Sequence, residues 1–147
     1  MISSVSSSIV TSDTTASTLT TTIESQSGVH IELLALQEAG DVILTSFPPF
    51  GTAATNASAS ISGTVTVLED IRGPITPVVI PFTGTFLPSS SFALPTNFGT
   101  NLWSGSITVD VLSVVPLATK ATLTLNNHLT SNCGQTAATA KIQKKLV

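Results

Sequence analysis

Downstream of Gly28 apolar and polar residues alternate along the chain. Val29, Ile31 and Leu33 take every second position with His30, Glu32 and Leu34 between them, the period of a half-buried strand. Turn residues Gln37-Glu38-Ala39-Gly40-Asp41 follow, then the apolar run Val42-Ile43-Leu44, so the pattern predicts a hairpin closed off by Pro48-Pro49 and Gly51. A helix over 31–39 is the competing reading of the first arm. Ile61, Gly63, Val65 and Val67 alternate with Ser62, Thr64, Thr66 and Leu68 up to the acidic turn Glu69-Asp70, and Arg72-Gly73-Pro74 makes the next turn. Residues 75–86 carry Pro77 and Pro81, which donate no ladder hydrogen bond, so an edge or bulged strand is expected there.

A loop over 88–99 has aromatic anchors in or beside it, Phe86, Phe92 and Phe98. The cleanest alternation comes next, with Ile107, Val109 and Val111 on one face and Pro116 as its stop. Leu123 and Leu125 alternate with Thr122, Thr124 and Asn126, and Asn126-Asn127 is expected to open a turn. Ala138, Ala140, Ile142 and Leu146 form a last strand whose lysines would lie outward and blunt a sheet edge. Seven to nine short strands of this kind predict a single all-β domain, an antiparallel two-sheet β-sandwich of jelly-roll or Ig-like type. The chain contains no tyrosine, which excludes an Ig-type tyrosine corner.

Residues 1–27 break this pattern. Serine and threonine dominate, with apolar residues interspersed, so the chain divides into an N-terminal extension (1–27) and a sandwich domain (28–147). Two readings of the extension stand side by side. Hydroxyl-rich sequence buries little apolar surface and stays disordered; equally, its β-branched content suits a donor strand that presents Val5, Ile9, Val10, Leu19 and Ile23 to a sheet edge.

Composition narrows the function classes. Charged residues make up 9% of the chain, against about 25% in ordinary soluble domains, while mean hydropathy is +0.45. No run approaches the ~20 apolar residues of a membrane span. The net charge is −3, and the one lysine cluster (Lys141, Lys144, Lys145) lies at the chain end, so nucleic acid is a poor partner. A chain solvated by hydroxyls in place of charges reads as extracellular or cell-surface. No signal peptide is legible at its N-terminus, so export implies a removed leader. Cys133 is the sole cysteine and admits no internal disulfide; its setting, Ser131-Asn132-Cys133-Gly134-Gln135, is a turn composition that suits a bland thiol or an intermolecular bridge.

Candidate chemistry is sparse. His30 and His128 lack metal-site spacing, a meeting of His30, Glu32 and Asp110 would depend on register, and Glu69-Asp70 are the only paired carboxylates. No catalytic residue, metal or cofactor is expected. Trp103 offers a stacking surface, together with Phe92 and Phe98, for an extracellular polysaccharide; core packing is the competing role. Threonines two apart (Thr18/Thr20, Thr64/Thr66, Thr83/Thr85, Thr122/Thr124) are spaced as in ice-binding arrays, but without a regular repeat they read as outward positions of ordinary strands. Asn56-Ala57-Ser58 is a glycosylation sequon in a predicted loop.

Residues 121–145 carry a further signal. Leu123, Leu125, Asn126, Asn127, Leu129 and Thr130, followed by Ala140, Ile142, Lys144 and Lys145, resemble the segment near the end of bacterial PEP-CTERM-sorted exported proteins. The Pro-Glu-Pro motif, apolar helix and basic end of that family are not in this sequence. The resemblance implies export to the cell surface or exopolysaccharide matrix and supplies no catalytic residues. Together these readings predict a non-enzymatic structural protein, a surface, biofilm-matrix or filament subunit that self-assembles through sheet edges by strand addition. A carbohydrate-binding β-sandwich module is the alternative.

Overall fold

The computed structural model describes residues 1–7, 11–47, 52–134 and 137–146. They form nine strands: β1 (Ile2–Ser7), β2 (Thr11–Glu24), β3 (Leu33–Ser46), β4 (Asn56–Asp70), β5 (Gly73–Gly84), β6 (Ser91–Ala93), β7 (Gly99–Asp110), β8 (Ala118–Cys133) and β9 (Ala138–Leu146). All pairings are antiparallel. One sheet has the order β1-β9-β3-β7; the other runs β2-β8-β4-β5, with β6 beside the start of β4. The protein is therefore an all-β, two-sheet sandwich, as the alternation predicts.

The core lies between the sheets and comes from every second residue of the inner strands. Ala57, Ala59, Ile61, Val65 and Val67 of β4, with Leu123, Leu125 and Leu129 of the neighbouring β8, face Val42 and Leu44 of β3 and Ile142 of β9. Trp103 and Phe86 fill one side of it, edge to face with centroids 4.7 Å apart. Two glycines leave room for neighbours within their own sheets. A methyl at Gly63 would meet the Thr124 carbonyl and Phe82, and one at Gly40 the Gln143 carbonyl and the Trp103 ring.

Local turn chemistry misleads in three places, and in each the strand continues because a neighbouring strand pairs with it. Gln37–Asp41 is no turn: β3 runs through it, kinked by a bulge between Ala39 and Gly40. Its carboxylates are buried against lysines, Glu38 against Lys144 and Asp41 against Lys145. The helix reading of this stretch is excluded with it. Residues 29–32 precede the strand, and its inward set is Leu34, Leu36, Glu38, Gly40, Val42 and Leu44, the opposite phase to the one expected from Leu33. Asn126-Asn127 and Cys133 likewise lie within β8, where Asn127 points inward to accept from Lys144. The last strand is no edge either: β9 is sandwiched between β1 and β3, and Lys144 turns into the interior.

The predicted boundary at residue 28 has no counterpart in the fold. β1 pairs with β9 and β2 pairs with β8 over its whole length, so the N-terminal segment completes both sheets of its own chain. Its hydroxyls find partners there: Ser3 Oγ bonds Asp13 O at 2.8 Å and Ser131 Oγ at 2.7 Å. The strand-forming content of the segment is thus used internally, and neither a disordered tail nor a free donor strand describes residues 2–7 and 11–24.

Candidate functional site at the open seam of the sandwich

Sheet edges are where an all-β chain meets other chains, because edge strands carry unpaired N–H and C=O groups. Most edges here are blunted. Ile2 O of β1 accepts from Thr15 Oγ1 at 2.8 Å, and Ser4 N donates to Asp13 Oδ2 at 3.2 Å, so β2 side chains close that edge. The β5 edge carries Pro74, Pro77 and Pro81, as the sequence predicts. The β7 edge is bridged by Leu87, whose N–H donates to Ser104 O at 2.7 Å and whose carbonyl accepts from Ser104 N at 2.9 Å.

Among the described residues one interior edge is left open. β9 pairs with β3 only from Ala39 onward, where Leu146 stands opposite, and β1 begins at Ile2. No strand among the described residues pairs with residues 33–38 on that side; β7 pairs with them on the other. The gap is about 20 Å long at ~3.3 Å per residue. Its walls combine apolar side chains with polar ones. Leu34 and Leu36 of β3 are half-buried, Leu19 of the facing β2 is 49% exposed, and Ile23 is half-buried. At one end a depression of about 200 Å³ is lined by Met1, Leu19, Leu125, Asn127, Lys144 and Lys145. At the other a depression of about 620 Å³ includes Ile23, Val29, Ile31, Leu33 and Leu34.

The electrostatics at the inner end of the seam are unusual for this chain. Lys144 and Glu38 form an ion pair with side chains 6% and 3% exposed, and Lys144 Nζ also donates to Asn127 Oδ1 at 3.0 Å. Burial raises the Glu38 pKa above the ordinary carboxylate value, with the Lys144 hydrogen bond and charge acting against it. Elsewhere, hydrogen bonds from Arg72 hold the Asp70 pKa below its ordinary value.

The residues singled out by sequence distribute as follows. Val5 is buried between β9 and the core; Ile9 and Val10 lie outside the described residues; Leu19 and Ile23 line the seam. They belong to the acceptor side of an open edge and not to a strand free to be donated. Trp103 is 2% exposed and Phe92 1% exposed, so neither can present a ring face to a sugar, and Phe98 alone is exposed. The aromatic platform is therefore not formed: the pocket between the sheets demanded the two largest rings. His30 Nε2 meets Glu32 Oε1 at 3.1 Å on the surface, whereas Asp110 is engaged by the Ser113 N–H at 3.1 Å. Among the described residues no group of three metal-ligating side chains converges. Asn56 of the sequon is tied into β4, accepting from Asn132 Nδ2 at 2.8 Å and donating to Ala53 O at 2.9 Å. Cys133 is fully buried against the carbonyls of Val5 and Ala138.

The seam itself is what sequence reasoning missed. Its one sequence trace is the phase of Leu34 and Leu36, which becomes apolar-inward only once β3 is known to be a single strand. No protein-family model and no curated protein matches the chain.

Proposed function

We propose that this chain is a non-enzymatic extracellular structural protein, a surface, matrix or filament subunit that assembles by β-strand addition. The observation that carries the reading is the unpaired stretch 33–38 of β3, flanked by partly exposed Leu34, Leu36 and Leu19. An extended segment of a neighbouring copy lying in line with β9 would pair with that edge and cover those leucines. The low charge of the chain supports the extracellular setting.

Magnitudes decide what kind of assembly this is. Fully covering one leucine contributes about 1.5–3 kcal/mol, and each new ladder hydrogen bond about 0.5–1.5 kcal/mol. Association costs about 4–15 kcal/mol, a sum of comparable size. Addition at the seam alone is therefore weak and concentration-dependent. Sedimentation velocity over a hundredfold concentration range tests it. The wild type should shift to higher mass while Leu36→Lys, which places a charge in the seam, stays monomeric. A wild type that is monomeric throughout, or a Leu36→Lys variant that assembles equally, overturns the proposal.

A further inference from the structure

The face of the second sheet turned away from the core has a property that strand addition does not use. Pairing of β2, β8 and β4 sets their outward residues side by side in ranks. Thr22, Thr122 and Thr66 form one rank, and Thr20, Thr124 and Thr64 form the next. The ranks continue toward Ser12, Asn132 and Asn56, and every outward position among them except Ala16 and His128 is serine, threonine or asparagine. The threonine pairs that lack a repeat in the sequence thus acquire one in space, because the register of three antiparallel strands aligns them.

We infer that this outward face of β2, β8 and β4 is an ice-binding surface. Three observations point to ordered water as the occupant. The first is the mesh: outward residues repeat every ~6.6–6.8 Å along a strand and every ~4.7–4.9 Å across strands. That is a near-rectangular net of hydroxyls on the scale of the oxygen rows of an ice prism face. The second is charge. No Asp, Glu, Lys or Arg interrupts the ranks, and the charged residues are collected in one terminal rank, where Lys120 bridges Glu24 at 3.0 Å and Glu69 at 3.5 Å. A charged group keeps its own hydration shell and would disrupt a lattice of water. The third is order. Thr18 Oγ1 donates to Asn126 Oδ1 at 2.9 Å, Thr14 and Thr130 hydroxyls lie 3.4 Å apart, and Asn132 bonds Asn56 across the strands. Threonine side chains are also stiff at χ1. Part of the face is thus ordered before it meets a ligand, which lowers the entropy lost on binding.

Other occupants fit less well. A sugar-binding face uses aromatic rings as platforms, and these ranks contain no Phe or Trp. A protein interface has an apolar centre, and here the middle ranks, Thr18-Asn126-Ser62 and Ala16-His128-Ser60, are polar but for Ala16. Sheet twist, ~20–25° per strand, confines registry with a planar lattice to about the three strands that carry the ranks. The adjoining β5 continues the threonine ranks with Val79 and Pro81 instead.

Nanolitre osmometry and partition into a slowly growing ice hemisphere test the inference on the whole chain. The wild type should facet ice crystals, show a freezing–melting gap and concentrate in the ice. Thr124→Arg, on the middle strand of the threonine ranks, should lose all three, and Thr20→Arg on the exposed edge strand serves where the first variant does not melt like the wild type. Thr108→Arg, on the outward face of β7, should retain them. Unfaceted crystals with the wild type, or equal activity in Thr124→Arg, overturn the inference. Retention on insoluble cellulose that Thr124→Arg abolishes, with ice growth unaffected, would overturn it too and assign the face to a glycan.

Discussion

Gly40→Ala probes the contact on which β3, β7 and β9 converge. The added methyl would lie 2.6 Å from Cε2 of Trp103, and closer still to Cζ2 of that ring and to the Gln143 carbonyl oxygen. Neither neighbour can retreat easily. Trp103 is wedged against Phe86, and Gln143 is backbone in a strand paired on both sides. Overpacking of this kind costs about 1–3 kcal/mol, occasionally more; with a backbone atom as the obstacle, the upper end is expected. At about 2–4 °C per kcal/mol for a domain of this size, the melting temperature should fall by roughly 5–12 °C. Gly28→Ala is the control. Gly28 has φ +81° and no atom within 4 Å of an added methyl, so only the left-handed backbone penalty of about 1–2 kcal/mol applies. Differential scanning calorimetry of both variants is the assay. A Gly40→Ala melting temperature within 1–2 °C of wild type would show that the Trp103 packing against the β3 bulge is not as described.

Three further outcomes follow from buried groups. Because folding raises the Glu38 pKa, the folded state binds the proton more tightly, and stability should decline as pH rises from the ordinary glutamate range through the raised value. Melting curves at stepped pH should show that decline in the wild type and not in Glu38→Gln, whatever the absolute stability of the variant; identical profiles would refute the assignment. Asp70 acts in the opposite sense: its lowered pKa contributes stability above the ordinary aspartate range that is lost as pH falls through the lowered value, and Asp70→Asn should remove that acid limb. Cys133 should resist a disulfide-exchange reagent in the native protein and react fully in denaturant, since its sulfur is enclosed between β1 and β9; rapid native labelling would contradict its burial.

The sandwich was legible in the sequence wherever a strand ended at a turn that nothing else could use. Glu69-Asp70 before Arg72-Gly73-Pro74 is such a place, and so are the prolines that confine β5 to an edge. Reading failed where turn-type residues had long-range partners. Glu38, Gly40 and Asp41 look like a loop locally, but Lys144, Trp103 and Lys145, which make them strand residues, lie 63 to 106 positions away in sequence. The N-terminal segment failed for a related reason. Serine and threonine outnumber its apolar residues, so beside buried Val5 and half-buried Ile23 its pairing with β8 and β9 draws on backbone hydrogen bonds and on small polar contacts such as Ser3 with Ser131. Hydropathy does not register either. The threonine ranks were visible as pairs within strands, yet their alignment between strands is a property of register, which no single strand encodes.

The seam and its charges explain one another. Above the Glu38–Lys144 pair, β3 packs Val42 and Leu44 against Ala140 and Ile142 in a core with no exposure. Below it, Leu34 and Leu36 are half open and β9 is ending. An inward-pointing charge is one of the devices by which natural sheets limit edge pairing, and here two opposite charges meet across the end of the β3–β9 pairing, Glu38 just beyond the last pair and Lys144 opposite Gly40. The pair costs desolvation that well-packed hydrophobic residues would avoid, so its placement is better explained by specificity than by stability. It lies beside the last β3–β9 pair among the described residues and, under the proposed strand addition, would set the inner limit of a segment added in line with β9. A neighbour's strand entering the seam would therefore reach only as far as Glu38, which fixes its register against β3 and makes a slipped, open-ended stack of strands unfavourable.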